Sequence, residues 1–174
     1  MLPEYAGLVD PVVELRAACL AAVAWLGETG PVEVVADAQG RRVAEALLAA
    51  AGGLVSTSST PDVVETPEGK AAPEAPSAYL VVANGSARRG EKAPGHLDER
   101  AAGFDERLGR ALRGPDLEAL AGLDEGLGAE LLVGNTTGLR ELGGLLTAEH
   151  RAMVDYDDDP FGVQYWVMRW QCES

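Results

Sequence analysis

Two short β-branched runs, Val32–Ala36 and Tyr79–Ala83, stand between stretches whose apolar positions recur at helical spacing. Gly30-Pro31 and Asp37 bound the first run and Asn84-Gly85 follows the second, which predicts two buried strands. Ahead of them, Val12, Leu15, Cys19, Val23 and Leu26 mark one face of a helix that opens at Asp10-Pro11 and ends near Gly27. A helix over Arg41–Ala51 stops at Gly52-Gly53, and Leu97–Arg113 reads as amphipathic. Pro115-Asp116 opens a short helix, and glycine-interrupted helical patterns cover Asp124–Val133 and Thr136–Leu146.

Ala152–Tyr156 and Gly162–Trp170 predict a hairpin joined by Asp157–Phe161. Its last strand is apolar on both faces, with Val163, Tyr165 and Val167 on one and Trp166, Met168 and Trp170 on the other, so it is either interior or covered by a partner. The order of elements predicts one α/β domain over residues 1–174, with a central mixed or mostly parallel sheet flanked by helices and a C-terminal β-hairpin. Between Ser56 and Ser77 the composition shifts to Ser, Thr, Pro and Glu without periodicity, which predicts an exposed loop.

Charge and cysteine usage then exclude some partners. The 174 residues carry a formal charge of −14, which opposes binding to nucleic acid or an anionic membrane surface. No stretch approaches the ~20 apolar residues of a membrane span. Cys19 and Cys172 are too far apart in sequence to suggest a disulfide scaffold or a zinc site, and no basic segment precedes an apolar run, so a cytoplasmic location is expected.

The densest positive charge lies in the loop after the second strand. Asn84, Ser86, Arg88, Arg89 and Lys92 make a candidate anion site there, since a strand's carboxyl end, free backbone N–H groups and a following helix suit a carboxylate or phosphate. The competing reading pairs the arginines internally with Glu91, Asp98, Glu99 or Asp105. Ser86 has no neighbouring base, and Gly126-Leu127-Gly128 lacks the spacing of a phosphate or dinucleotide loop. His96 and His150 with Asp157, Asp158 and Asp159 are the only raw material for a rebuilt metal site, but without metal-ligand spacing. His150 reads instead as a charge at a helix C-terminus, His96 as packing beside Pro94-Gly95, and the aspartates as a solvated turn.

Asn84-Gly-Ser-Ala-Arg-Arg, Lys92-Ala-Pro-Gly, Asp98-Glu-Arg-Ala, Phe104-Asp105, Gly138-Leu-Arg and Tyr156-Asp-Asp-Asp-Pro-Phe-Gly-Val-Gln-Tyr occur in an order and spacing that resembles the class III extradiol dioxygenase-like proteins, the LigB-like and Memo-like superfamily. The likeness runs from Tyr79 to Trp170. Active members hold ferrous iron with two histidines from the amino-terminal half and a later glutamate, and use a further histidine for acid–base chemistry. By that resemblance the acid–base histidine falls at Ala87 and the glutamate near Thr136, while no histidine precedes His96. The implied protein is catalytically degenerate, has no cofactor, and binds a small anionic ligand without metal. A structural or interaction module is the alternative, and a metal enzyme with a rebuilt site the second. Met1-Leu-Pro-Glu stands where that family's first strand should finish, and a sheet edge left bare in this way predicts a homodimer.

Overall fold

The structure, a computed structural model, describes residues 12–52 and 78–172. The Asp10-Pro11 helix start and the 56–77 loop lie outside the described residues. In chain order the elements are α1 (Val13–Gly27), β1 (Val32–Val35), α2 (Ala38–Ala50), β2 (Ala78–Val81), α3 (Arg100–Arg113), α4 (Leu117–Ala121), α5 (Glu125–Glu130), α6 (Thr136–Leu145), β3 (His150–Asp158) and β4 (Tyr165–Cys172). The chain is α/β, with a parallel β1–β2 pair and an antiparallel β3–β4 hairpin. Among the described residues no helix is long and apolar enough to cross a membrane.

Side-chain caps explain where the helices begin. α2 starts three residues before the expected Arg41 because the Asp37 carboxylate accepts the Gly40 N–H at 2.7 Å. α3 starts three residues after the expected Leu97, where Asp98 turns its carboxylate onto the Arg100 N–H at 3.0 Å. Asp116, Asp124 and Asn135 cap α4, α5 and α6 in the same way. The hairpin is longer than expected, since Asp157 and Asp158 pair with Trp166 and Tyr165 inside the ladder. Its connection is displaced to Asp159–Gln164, where Phe161 (φ 59°) and Gly162 (φ 74°) supply the left-handed backbone that reverses the chain.

Alternation along the strands decides which layer each side chain enters. Val34 and its register partner Leu80 pack with Val23, Leu47 and Leu48 beneath α1 and α2. Val81 and Ala83 pack on the larger core of Phe104, Leu108, Leu112, Leu120, Leu131 and Leu142 from α3 through α6. Trp166, Met168 and Trp170 of β4 join that same core, and Trp170 Nε1–H donates to the Leu112 carbonyl at 3.0 Å. On the opposite side, the Arg169 guanidinium lies 5.2 Å from the ring centre of Trp25 in α1. Helices of the same chain therefore pack on both faces of the last strand, most of whose residues remain half-buried.

Among the described residues four non-glycine positions adopt positive φ: His96, Leu132, Asn135 and Phe161. Leu132 has a local cause. It follows α5, and the bonds Leu132 N–H to Ala129 O (3.1 Å) and Val133 N–H to Gly128 O (2.9 Å) close the helix in the motif that usually places glycine there. Leu132 is also 46% exposed, so little packing offsets its backbone cost. Leu132→Gly is expected to stabilise the fold by about 1 kcal/mol, measured as a higher urea midpoint. A lower midpoint would mean that the Leu132 side chain carries more packing than its exposure indicates.

Candidate functional site

The loop after β2 is built around Ser86, which is fully buried with every polar group engaged. Its N–H donates to Asp105 Oδ1 at 2.9 Å, its hydroxyl donates to the Leu131 carbonyl at 2.9 Å, and that oxygen accepts the Arg88 N–H at 3.0 Å. Its carbonyl accepts the Gln164 N–H at 3.0 Å, while the Gly85 N–H donates to the Gln164 carbonyl at 2.9 Å. These bonds stitch the parallel pair to the start of β4. Gly85 is required there, because a Cβ would stand 2.8 Å from Gln164 Cβ and 2.9 Å from Asp105 Oδ1.

The expected site residues divide into structural and available groups. Asn84 is structural: its N–H donates to the Gly134 carbonyl at 3.4 Å and its Nδ2 to the Gly85 carbonyl at 2.7 Å. Arg89 is also spent internally, with Nε on Asp159 Oδ2 at 2.7 Å and Nη1 on Asp105 Oδ2 at 3.3 Å. Arg88 differs from its neighbour. Its only carboxylate partner among the described residues is Asp98, with Nη1 at 3.6 Å from Oδ2. Asp98 is already committed, receiving Arg100 Nη2 at 2.7 Å and Nε at 3.0 Å. Arg88 Nε is buried with no acceptor, held against Gly95, where a Cβ would come within 2.8 Å of it. The Arg88 side chain is 33% exposed and makes no side-chain hydrogen bond among the described residues. Lys92 is exposed on the same loop, without an ion-pair partner among those residues.

Asn135, Gln164 and Asp159, none of them expected in the anion site, complete it. Asn135, in the left-handed region at φ 52°, donates Nδ2–H to the carbonyls of Val35 (3.3 Å) and Val82 (2.9 Å) and accepts the Gly138 N–H at 3.1 Å. It ties the carboxyl ends of the parallel strands, the place where open α/β sheets receive ligands. Gly134-Asn135 before a helical pattern was the available signal, since asparagine both tolerates left-handed backbone and caps helices. Gln164 is buried, its amide donating to Asp157 Oδ1 at 2.9 Å. Asp159 reaches Arg89 across 70 residues of sequence, a pairing without any local signal. Asp157 pairs with Arg113, so two of the three aspartates expected in a solvated turn are instead engaged in ion pairs.

The residues present do not fit an iron centre of two histidines and a carboxylate. Ala87 is buried with its N–H on the Leu131 carbonyl at 3.2 Å, and Thr136 opens α6 against Gly128. His96 is exposed, its Nδ1 3.4 Å from the Glu91 carbonyl, and His150 begins β3 rather than ending a helix. Among the described residues no three His, Cys, Asp or Glu side chains converge to hold a metal ion.

No family model matches the chain, nor does any curated protein or solved structure.

Electrostatically, the two aspartates of the site move in opposite directions. Burial pushes the Asp105 carboxyl up, outweighing the Ser86 N–H and Arg89 that favour its charge. Hydrogen bonds from Arg100, with its backbone N–H adding to them, hold Asp98 well below the usual carboxylate range. The folded state therefore binds the Asp105 proton more tightly than the unfolded chain. Its linkage favours the fold as pH falls from above the raised folded value to below the unfolded value near ~3.9. Asp98 contributes stability above its unfolded value and loses it as pH falls through its depressed folded one. Carboxyl carbon NMR during an acid titration is expected to show Asp105 protonating first and Asp98 last of the two. The reverse order would remove burial as the dominant influence on Asp105.

Proposed function

We propose that the chain is a metal-free, non-catalytic binding protein of the extradiol dioxygenase-like kind, which takes a small carboxylate or phosphate compound at Arg88. The observation that supports this most directly is the under-paired Arg88 guanidinium: Arg100 has taken the Asp98 carboxylate, leaving Arg88 at 3.6 Å. Arginine's planar fork of donors is matched to such anions, and Lys92 adds exposed charge on the same loop. Arg89 supplies the contrast, since both of its carboxylates come from the fold. Calorimetric titration with inorganic phosphate and with a small dicarboxylate is the direct test. Arg88→Ala should cost ~1.5–3 kcal/mol of binding, most of the affinity, without unfolding the chain. Arg89→Ala should instead lower the melting temperature. Wild-type protein that binds neither probe, or an Arg88→Ala variant that binds as well as wild type, would exclude the reading.

A protein-interaction module is the second reading. It is favoured by Leu97, Leu132 and Phe161, large apolar side chains exposed beside this loop or on the segments packed against it. A homodimer belongs to the same proposal, supported by β1, which has β2 as its only strand partner among the described residues. Light scattering over a dilution series should return twice the 18.2 kDa chain mass. A mass of one chain at every concentration would exclude the dimer.

A further inference from the structure

At the opposite end of the hairpin from the Arg88 loop lies a second group of polar side chains. His150 and Cys172 face each other directly across β3 and β4, with His150 Nε2 3.7 Å from Cys172 Sγ. The other ring nitrogen, Nδ1, accepts the Thr147 backbone N–H at 2.9 Å and stands 2.9 Å from the Thr147 hydroxyl. A nitrogen that accepts an N–H carries no proton, so the neutral ring holds its hydrogen on Nε2, aimed at the sulfur. Thr147 is the positioning residue of this arrangement.

A cavity opens beside His150. Directly opposed residues of an antiparallel ladder share a face, so Cys172 and His150 lie on the same face as Trp170 and Ala152, two positions along each strand. That face meets the end of α3, where Trp170 bonds the Leu112 carbonyl. The cavity, of about 320 Å³, opens there, lined by His150, Ala152, Ala148, Arg113 and Pro115 among others. Cys172 is exposed and reaches the cavity through His150, which lines it while Cys172 itself does not.

We propose that Cys172 is a reactive thiol, assisted by His150, that exchanges with a low-molecular-weight disulfide seated in this cavity. The thiol releases its proton to water, and the thiolate attacks one sulfur of the disulfide. The disulfide S–S bond breaks as the bond from Cys172 Sγ forms, and the departing thiolate takes up a proton. The Nε2–H of His150 donates to the attacking thiolate, which holds that form in place. The oxidant is the small disulfide itself. Cys19 provides an internal comparison, because burial pushes its thiol up and keeps it protonated.

The intact protein would be incubated with oxidised glutathione or iodoacetamide, and each cysteine followed by peptide mass spectrometry. A synthetic peptide spanning Arg169–Ser174 gives the rate of an unassisted thiol. Cys172 should react at least about fivefold faster than the peptide with both reagents, with Cys19 unmodified over the same period. His150→Ala should fall to the peptide rate, and His150→Gln, which keeps an N–H donor, should recover most of the difference. Ala148→Trp, which fills the cavity, should slow glutathione exchange while sparing iodoacetamide. Cys172 reacting no faster than the peptide, or unchanged in folded His150→Ala, would overturn the proposal. Should His150→Ala not fold, a His150→Gln variant reacting at the peptide rate would overturn it as well. Glutathione exchange unaffected by Ala148→Trp would overturn the cavity as the disulfide's seat.

Discussion

The buried carboxylate of Asp105 is the constraint from which the rest of this architecture follows. At 2% exposure it cannot be hydrated, so its oxygens must be met by the protein, and they are met by the Ser86 N–H and by Arg89. Ser86 in turn joins the loop after β2 to Leu131 behind it and to Gln164 of the hairpin connection. Arg89 carries the tie on to Asp159. A helix, a strand end and a hairpin turn are thereby held by one desolvated charge. Removing any partner would leave that charge or a backbone donor unpaired, which is why such a network fixes a single arrangement.

The same economy separates two adjacent arginines. Successive positions in an irregular loop point in different directions, and Arg89 turns inward to the network while Arg88 turns along Gly95 toward Asp98. Arg100 sits two residues from Asp98 and has the better geometry, so the competition leaves Arg88 loosely held. A cation that the fold does not fully satisfy is the feature on which a ligand can act. The inward one serves stability.

The hairpin serves different ends at its two extremities. Its closed end, Asp159 to Gln164, is folded into the Ser86 network and helps shape the Arg88 loop. Its open end brings His150 and Cys172 into register beside a cavity. Between them the tryptophans and Met168 of β4 enter the main core, so the strand that holds both ends is among the better anchored parts of the molecule.

The α/β class, the parallel strands and the C-terminal hairpin were legible in the sequence because β-branched runs, apolar periodicity and turn residues are local signals. Asp37, Asp116, Asp124 and Asn135 could in principle be read the same way, since capping acts over three residues. The sequence also named Asp98 and Asp105 as near enough to pair with the arginines. It could not say which arginine would be satisfied, because that turned on Asp159, 70 positions away, and on Arg100 outcompeting Arg88 for one carboxylate. Nor could it place Cys172 opposite His150, since a hairpin register depends on a bulge between Val154 and Tyr156 that shifts every later pair. Local propensity determined the elements, and desolvated charges and strand register, which exist only once the chain is folded, decided which side chains face one another.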